Sequence, residues 1–119
     1  MPAAQLLLKK SRERARARQL PHTLVREELE ALLADGVCEF CGVPFQRARS
    51  LGENRPTSPT LDRLDPAAGY VLENVAVICR RCNIRKSDSS AADLRALADA
   101  VDRAIFARLP DHYTGKTRD

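Results

Sequence analysis

Two C-x2-C pairs, Cys38/Cys41 and Cys79/Cys82, constrain this 119-residue chain more than any other feature. A two-residue spacer lets both thiolates of a pair face one ion, and two pairs complete a tetrahedral shell. The 37 residues between the pairs must therefore leave the ion and return to it. All four cysteines of the chain are used, the composition of a closed structural zinc site without an open position for water. Two disulfides are the rival pairing, and they need an oxidising compartment. A thioredoxin-like role for one pair would leave the other unexplained. Leu6-Leu7-Leu8 is too short for an export signal and precedes Lys9-Lys10, the wrong order of charge and apolar run. No apolar run approaches the ~18–20 residues of a membrane span. The expected place of the protein is the cytoplasm, where thiols stay reduced and free to bind metal.

A chain of this length has room for one domain. Its 44% hydrophobic content is ordinary for a globular protein and excludes wholesale disorder. Tyr 2, Phe 3 and no Trp exclude a multi-aromatic platform for stacking bases. The net charge of +4 is unevenly placed. Lys9, Lys10, Arg12, Arg14, Arg16 and Arg18 face one acid, Glu13, within residues 9–18. Arg80, Arg81, Arg85 and Lys86 form a second cluster with no acid in 80–86. An acidic stretch holding Glu27, Glu28, Glu30, Asp35 and Glu39 separates them. Concentrated positive charge points to a polyanion, nucleic acid first, because each neutralised phosphate releases counterions. A solvated Arg-rich surface is the alternative, since charge alone speaks only to non-specific attraction.

The patterning predicts a polar, basic helix over 3–20 with no clear apolar stripe, so residues 1–21 read as a mobile or substrate-ordered arm. A helix follows over 24–35, capped by Thr23, closed by Gly36, and without a capping box because Arg26 stands at N3. A cysteine turn spans 37–45 and a polar loop 46–59. Short strands are expected at 60–64 and 75–79, joined by a turn-rich connection, then a short helix at 82–88. Ser90 caps a last helix with Asp93 at N3, whose stripe Leu94, Leu97, Ala98, Val101, Ile105 and Leu109 suits the core first and a partner second. Pro110 ends it, and 110–119 reads as a flexible tail.

From residue 58 to residue 88 the chain reads SPTLDRLDPAAGYVLENVAVICRRCNIRKSD. Leu-Asp-Arg-Leu-Asp-Pro, Gly-Tyr, Glu-Asn-Val, Cys-x2-Cys-Asn and Lys-Ser-Asp occur in the order of the HNH nuclease motif. The segment resembles that motif of the ββα-metal (His-Me finger) superfamily, nearest to a four-cysteine phage and bacterial branch. With the first cysteine pair and flanking helices the resemblance extends over about 24–108. It implies an α+β fold: a small zinc-stabilised ββα-metal core with flanking helices, occupying 22–109. It also implies a cytoplasmic protein of a bacterium, or of its host if phage-encoded.

The resemblance implies roles position by position. Asp62 matches the metal-binding carboxylate at the end of the first strand, and Asn83 matches the second ligand position on the helix. Such oxygens suit Mg2+ or Mn2+, with Zn2+ or another divalent ion as a variant. Asn74 matches the central residue that pins the hairpin loop. Lys86, Arg80, Arg81 and Arg85 resemble the phosphate-contacting face. Arg63 stands where the usual motif carries the His that deprotonates water, a substitution shared by the Asp-Arg branch. Arginine is always protonated and is a poor base, but it can clamp a phosphate. The candidates for water activation are a metal-bound water, Tyr70, His22 or a substrate phosphate. His22 and His112 lie outside the motif. The expectation is a metal-dependent DNA endonuclease or nickase, monomeric or homodimeric. The alternative is a zinc-braced DNA-binding or assembly module without catalysis.

Overall fold

A hairpin of two five-residue strands organises the chain. In the computed structural model, which describes residues 2–46 and 55–109, β1 (Pro59–Arg63) pairs antiparallel with β2 (Val75–Cys79). The register sets Thr60 against Ile78, Leu61 against Val77, Asp62 against Ala76 and Arg63 against Val75. Side chains alternate along a strand, so Leu61, Arg63, Val75 and Val77 share one face while Thr60, Asp62, Ala76 and Ile78 share the other. Both faces are covered, which is why all five residues of β2 are buried and why Val75-Ala76-Val77-Ile78 is apolar without alternation. α3 (Arg80–Lys86) follows β2 directly. The expected strand–strand–helix order is therefore present, with α3 beginning two residues earlier than the spacing predicts.

The connection between the strands is pinned by Asn74. Its Oδ1 accepts from Asp65 N at 3.0 Å, and its Nδ2 donates to Asp65 O at 3.1 Å and Gly69 O at 2.9 Å. Gly69 has a separate reason to be glycine. A Cβ there would collide with the carbonyl oxygen of Pro21 and lie 2.9 Å from its Cδ. That close approach lets Tyr70 N donate to Pro21 O and Thr23 N donate to Tyr70 O, a short parallel bridge that sets His22 beside Tyr70.

α1 (Ala3–Arg18) differs from the mobile arm expected of residues 1–21. It buries Ala4, Leu7, Leu8, Ser11 and Ala15, and its apolar members join Leu24, Leu29, Leu61, Tyr70, Val75 and Val77 in one core cluster. The buried positions recur at i, i+3, i+4, i+7 and i+11, a helical stripe built largely from alanine and serine. Small side chains let α1 lie close to the hairpin, and they hide the stripe from any reading that looks for large apolar residues.

α2 (Arg26–Leu33) starts later than expected. Thr23 lies two residues before the N-cap, its N–H bonded to Tyr70 O, and Val25 takes the N-cap position with Glu28 at N3. Glu28 Oε1 then accepts from Val25 N at 3.0 Å, one half of a capping box. Valine offers no side-chain acceptor for the other half.

Residues 1–88 form one compact unit and residues 89–119 another. The described part of the second is α4 (Ala91–Arg108) with its cap. Ser90 Oγ accepts from Asp93 N and Asp93 Oδ2 accepts from Ser90 N, each at 3.1 Å, the expected cap closed into a reciprocal box. Within this unit no residue of α4 is buried, and Leu97 and Val101 are 63% and 49% exposed. Pro110, His112 and the expected tail lie outside the described residues.

Candidate metal centres and the charged groups around them

The cysteine pairs converge. The four Sγ atoms of Cys38, Cys41, Cys79 and Cys82 lie within 4.8 Å of one another, a group that could hold a metal ion such as zinc. Each pair has the same local form: Cys41 N donates to Cys38 Sγ and Cys82 N donates to Cys79 Sγ, both at 3.4 Å. Gly42, at φ +77°, closes the first turn in the left-handed region. Cys79 caps α3, so the second pair fixes where that helix begins. The thiols are electrostatically divided. Burial raises the Cys38 pKa, but backbone N–H groups outweigh it and bring the thiol down to about 6. Burial and the three neighbouring thiols push Cys82 up to about 12. Four thiolates at this spacing cannot all ionise without a cation among them, and the donor set is that of a structural zinc site.

A second group lies on the hairpin face that α3 covers. Asn83 and Lys86 are three apart on one face of α3, and Thr60 and Asp62 are two apart on one face of β1. The pairs meet in register. Asn83 Nδ2 donates to Thr60 Oγ1 at 2.9 Å, and Lys86 Nζ lies 3.0 Å from Asp62 Oδ2. Thr60 Oγ1 donates its own hydrogen to Ile78 O at 2.8 Å, so toward Asn83 it can only accept. The amide nitrogen of Asn83 must face Thr60, and the amide oxygen is turned away as the end able to bind a cation.

Asp62 is 6% exposed and Lys86 is 8% exposed. Lys86 Nζ donates to Arg63 O at 3.0 Å, while Asp62 Oδ2 has no hydrogen-bond partner among the described residues. The Asp62–Lys86 contact is a buried, short-range ion pair. Burial raises the Asp62 carboxyl above its ordinary value, and Lys86 and Arg63 offset only part of that. A buried carboxylate on β1, on the hairpin face that also meets the Asn83 amide, is of the oxygen-donor chemistry that suits a hard divalent ion.

The other face of the hairpin carries Arg63. Its guanidinium stands 5.4 Å from the Tyr70 ring centroid, donates to Pro66 O, and lies 3.5 Å from Asp88 Oδ1. Asp88 also pairs with Arg18 at 3.2 Å. The Tyr70 ring is 5.7 Å from the His22 ring. His22 Nε2 is 2.8 Å from Ser11 Oγ, and Ser11 Oγ donates to Leu8 O at 2.9 Å. With its hydrogen used there, Ser11 accepts from Nε2–H of the neutral ring, leaving the lone pair on Nδ1. Burial and then Arg12 lower the His22 pKa below its ordinary 6.5, with the residue's own carbonyl working the other way.

The structure therefore sorts the residues singled out in the sequence. Asp62, Asn83 and Lys86 meet on one face of the hairpin. Arg63 and Tyr70 meet on the other, joined by His22, which no local motif could place. Lys86 is buried against Asp62 and does not belong to an exposed basic face. Arg80, Arg81 and Arg85 are exposed on α3. Lys9, Arg12 and Arg16 fall at i, i+3 and i+7 on α1 and are exposed, Lys9 and Arg12 lining a groove with Val25, Arg26 and Glu27, whereas Arg18 is engaged with Asp88. Lys10 is half-buried and Arg14 exposed. No helix among the described residues is long and apolar enough to cross a membrane.

Comparison with known proteins gives one informative likeness. No family model matches the chain, and no curated protein matches it. Among solved structures, the chain is similar to the rare-cutting HNH restriction endonuclease PacI, whose structure was described for its mechanism of DNA perturbation. The likeness has a TM-score of 0.62 and 24% identity over 91% of this chain and 82% of that one. The chain has an HNH-like α+β fold with a four-cysteine cluster able to hold zinc.

Proposed function

We propose that this protein is a metal-dependent DNA endonuclease or nickase in which Asp62 and Asn83 hold one divalent ion, Mg2+ or Mn2+ before Zn2+. The observation that carries this reading is the buried Asp62 oxygen without a hydrogen bond, set on the same hairpin–helix face as the turned-out amide oxygen of Asn83. When bound, such an ion polarises a phosphate oxygen and stabilises the leaving oxygen. The chain's own groups supply the rest. Arg63 stays protonated and cannot take a proton from water; released from Asp88, its guanidinium would clamp the phosphate. Of the candidates for water activation, His22 and Tyr70 lie on the Arg63 face of the hairpin, and a metal-bound water would lie on the Asp62 face. Tyr70 is buried between Arg63 and His22 and acts by holding both. Asn74 keeps the loop between the strands closed. Lys9, Arg12, Arg14, Arg16, Arg80, Arg81 and Arg85 would follow the DNA backbone, with Lys10 and Arg18 at the margin.

The test is cleavage of supercoiled plasmid by zinc-loaded protein with Mg2+, Mn2+ or Zn2+ titrated in. Asp62→Ala and Asn83→Ala should each lower the rate by at least about a hundredfold, the scale of a lost catalytic-metal ligand. A rate unchanged in both variants overturns the assignment. One observation favours a second reading, the Lys86 ammonium already beside Asp62. If folded, zinc-loaded protein nicks DNA in none of the metals yet still binds it, the chain is a zinc-braced DNA-binding or assembly module. A double-strand cut at a symmetric site would need two copies.

A further inference from the structure

We infer that Lys86 is the resident counter-ion of Asp62 and is exchanged for the divalent ion, so that the ββα site alternates between a lysine-closed and a metal-loaded form. This rests on the reading of Asp62 as a metal ligand and adds what must happen before the ligand is available. Three observations carry it. The Lys86 ammonium is buried, although lysine is almost never fully buried unless paired, and the near-buried Asp62 carboxylate is its partner at 3.0 Å. The ammonium is divided between the Arg63 carbonyl, to which it donates, and Asp62 Oδ2, which has no partner beyond it among the described residues. Lys86 also lies one turn from Asn83 on α3, and the two meet neighbouring positions of one face of β1, Asp62 and Thr60.

Two cations cannot share one buried carboxylate oxygen cheaply, because like charges a few ångströms apart in a poorly screened site repel strongly. Metal entry must therefore displace the ammonium. Lys86 sits in the last turn of α3, where the side chain can swing out by rotating about its own four-carbon stem. Outside, it joins Arg85 and the exposed cations at the start of α3, where a phosphate would meet it. The lysine thus keeps an empty site from leaving a bare buried carboxylate, and its release couples metal loading to added positive charge at the surface.

Two measurements test this on the zinc-loaded full chain. The first is Mn2+ affinity by electron paramagnetic resonance, with no nuclease readout. Lys86→Met and Lys86→Gln should bind Mn2+ at least about tenfold more tightly than wild type, since the competing cation is gone. Lys86→Arg should stay within about threefold of wild type, because the charge is kept, and Asp62→Asn should bind none. The second needs no variant at Lys86. The chain has four lysines, Lys9, Lys10, Lys86 and Lys116, so each can be followed separately by reductive methylation and mass spectrometry. Lys86 should be protected in metal-free buffer and labelled once saturating Mg2+ is added. Unchanged affinity in both neutral variants while Asp62→Asn loses Mn2+, or protection that persists with Mg2+ bound, overturns the exchange and leaves the Asp62 ligand standing. Mn2+ binding that Asp62→Asn does not alter, or no binding in any form, overturns both.

Discussion

Asn74 and His22 show how single side chains fix this site from a distance. Asn74 makes three hydrogen bonds to Asp65 and Gly69 that close the loop between β1 and β2. At about 1 kcal/mol net for each, with added cost for backbone groups left unpaired, Asn74→Ala should destabilise the domain by roughly 2–4 kcal/mol in urea unfolding. Asn74→Asp should recover little, because two of the three bonds need the amide N–H. His22 makes a different prediction. Its folded pKa is lowered, chiefly by burial, so the folded state binds fewer protons than the unfolded chain in the interval just below 6.5. Stability from this group is therefore present above 6.5 and lost as pH falls through the folded value. Asp62 has the opposite sign, since a raised carboxyl pKa favours the folded state at low pH and weakens it as the group ionises. Wild type and His22→Gln share Asp62, so the difference between their melting temperatures isolates the histidine. Wild type should gain on the variant as pH rises from about 5 to 6.5, and a difference flat across that range would remove His22 from the linkage.

At the scale of elements, α1 does two tasks that its sequence presents as one. Its inner stripe belongs to the core, and its exposed Lys9, Arg12 and Arg16 are the cations proposed to follow DNA. Deleting residues 1–20 would remove Ala4, Leu7, Leu8 and Ala15 from the core, so it cannot report on DNA contact alone. The cleaner change is Lys9→Gln/Arg12→Gln/Arg16→Gln, which leaves the buried stripe untouched. If each cation neutralises one phosphate, the slope of log K against log salt should become shallower by about 2.7, at 0.9 per phosphate. A slope unchanged in a variant of native stability would take α1 out of the DNA contact. The hairpin and α3 were legible because an apolar run ending in Cys79 leaves few alternatives to a buried strand entering a knuckle. The packing of α1 was not, because three of its five buried positions are alanine or serine, which only a close neighbour makes buried. Lys86 and His22 were not legible for a related reason. A lysine in a run of arginines reads as surface until Asp62 is folded over it, and His22 reaches Tyr70 only because Gly69 lets Pro21 approach.

The whole molecule depends on an asymmetry between the two faces of its hairpin. One face is held by the larger cluster that includes α1, α2 and Tyr70. The other carries a smaller apolar cluster, Cys38, Ala76, Ile78 and Cys79, with Val43, Phe45 and Cys82 half-buried around it, beside the buried Asp62–Lys86 pair. Four buried side chains, two of them thiols, give little apolar area, so this face is held by whatever ties the two cysteine turns together. The first turn reaches the sheet through one backbone bond, from Glu39 N to Val77 O, and the second begins α3. Structural zinc contributes on the order of 10–16 kcal/mol of binding free energy, against a typical net domain stability of about 5–15. Removing the ion should leave Cys82 protonated, part the turns, and free α3 from the hairpin, carrying Asn83 and Lys86 away from Thr60 and Asp62. Chelation followed by far-UV circular dichroism and a thermal melt should therefore show loss of the cooperative transition, restored by one equivalent of Zn2+. Mg2+ should not restore it, because four thiolates do not suit a hard ion. Cys38→Ala, which removes a buried ligand and leaves a cavity, should reproduce the metal-free state with zinc present. A chelated protein verified to be zinc-free that melts as before would show that the small face holds without metal, and that the thiols have another purpose.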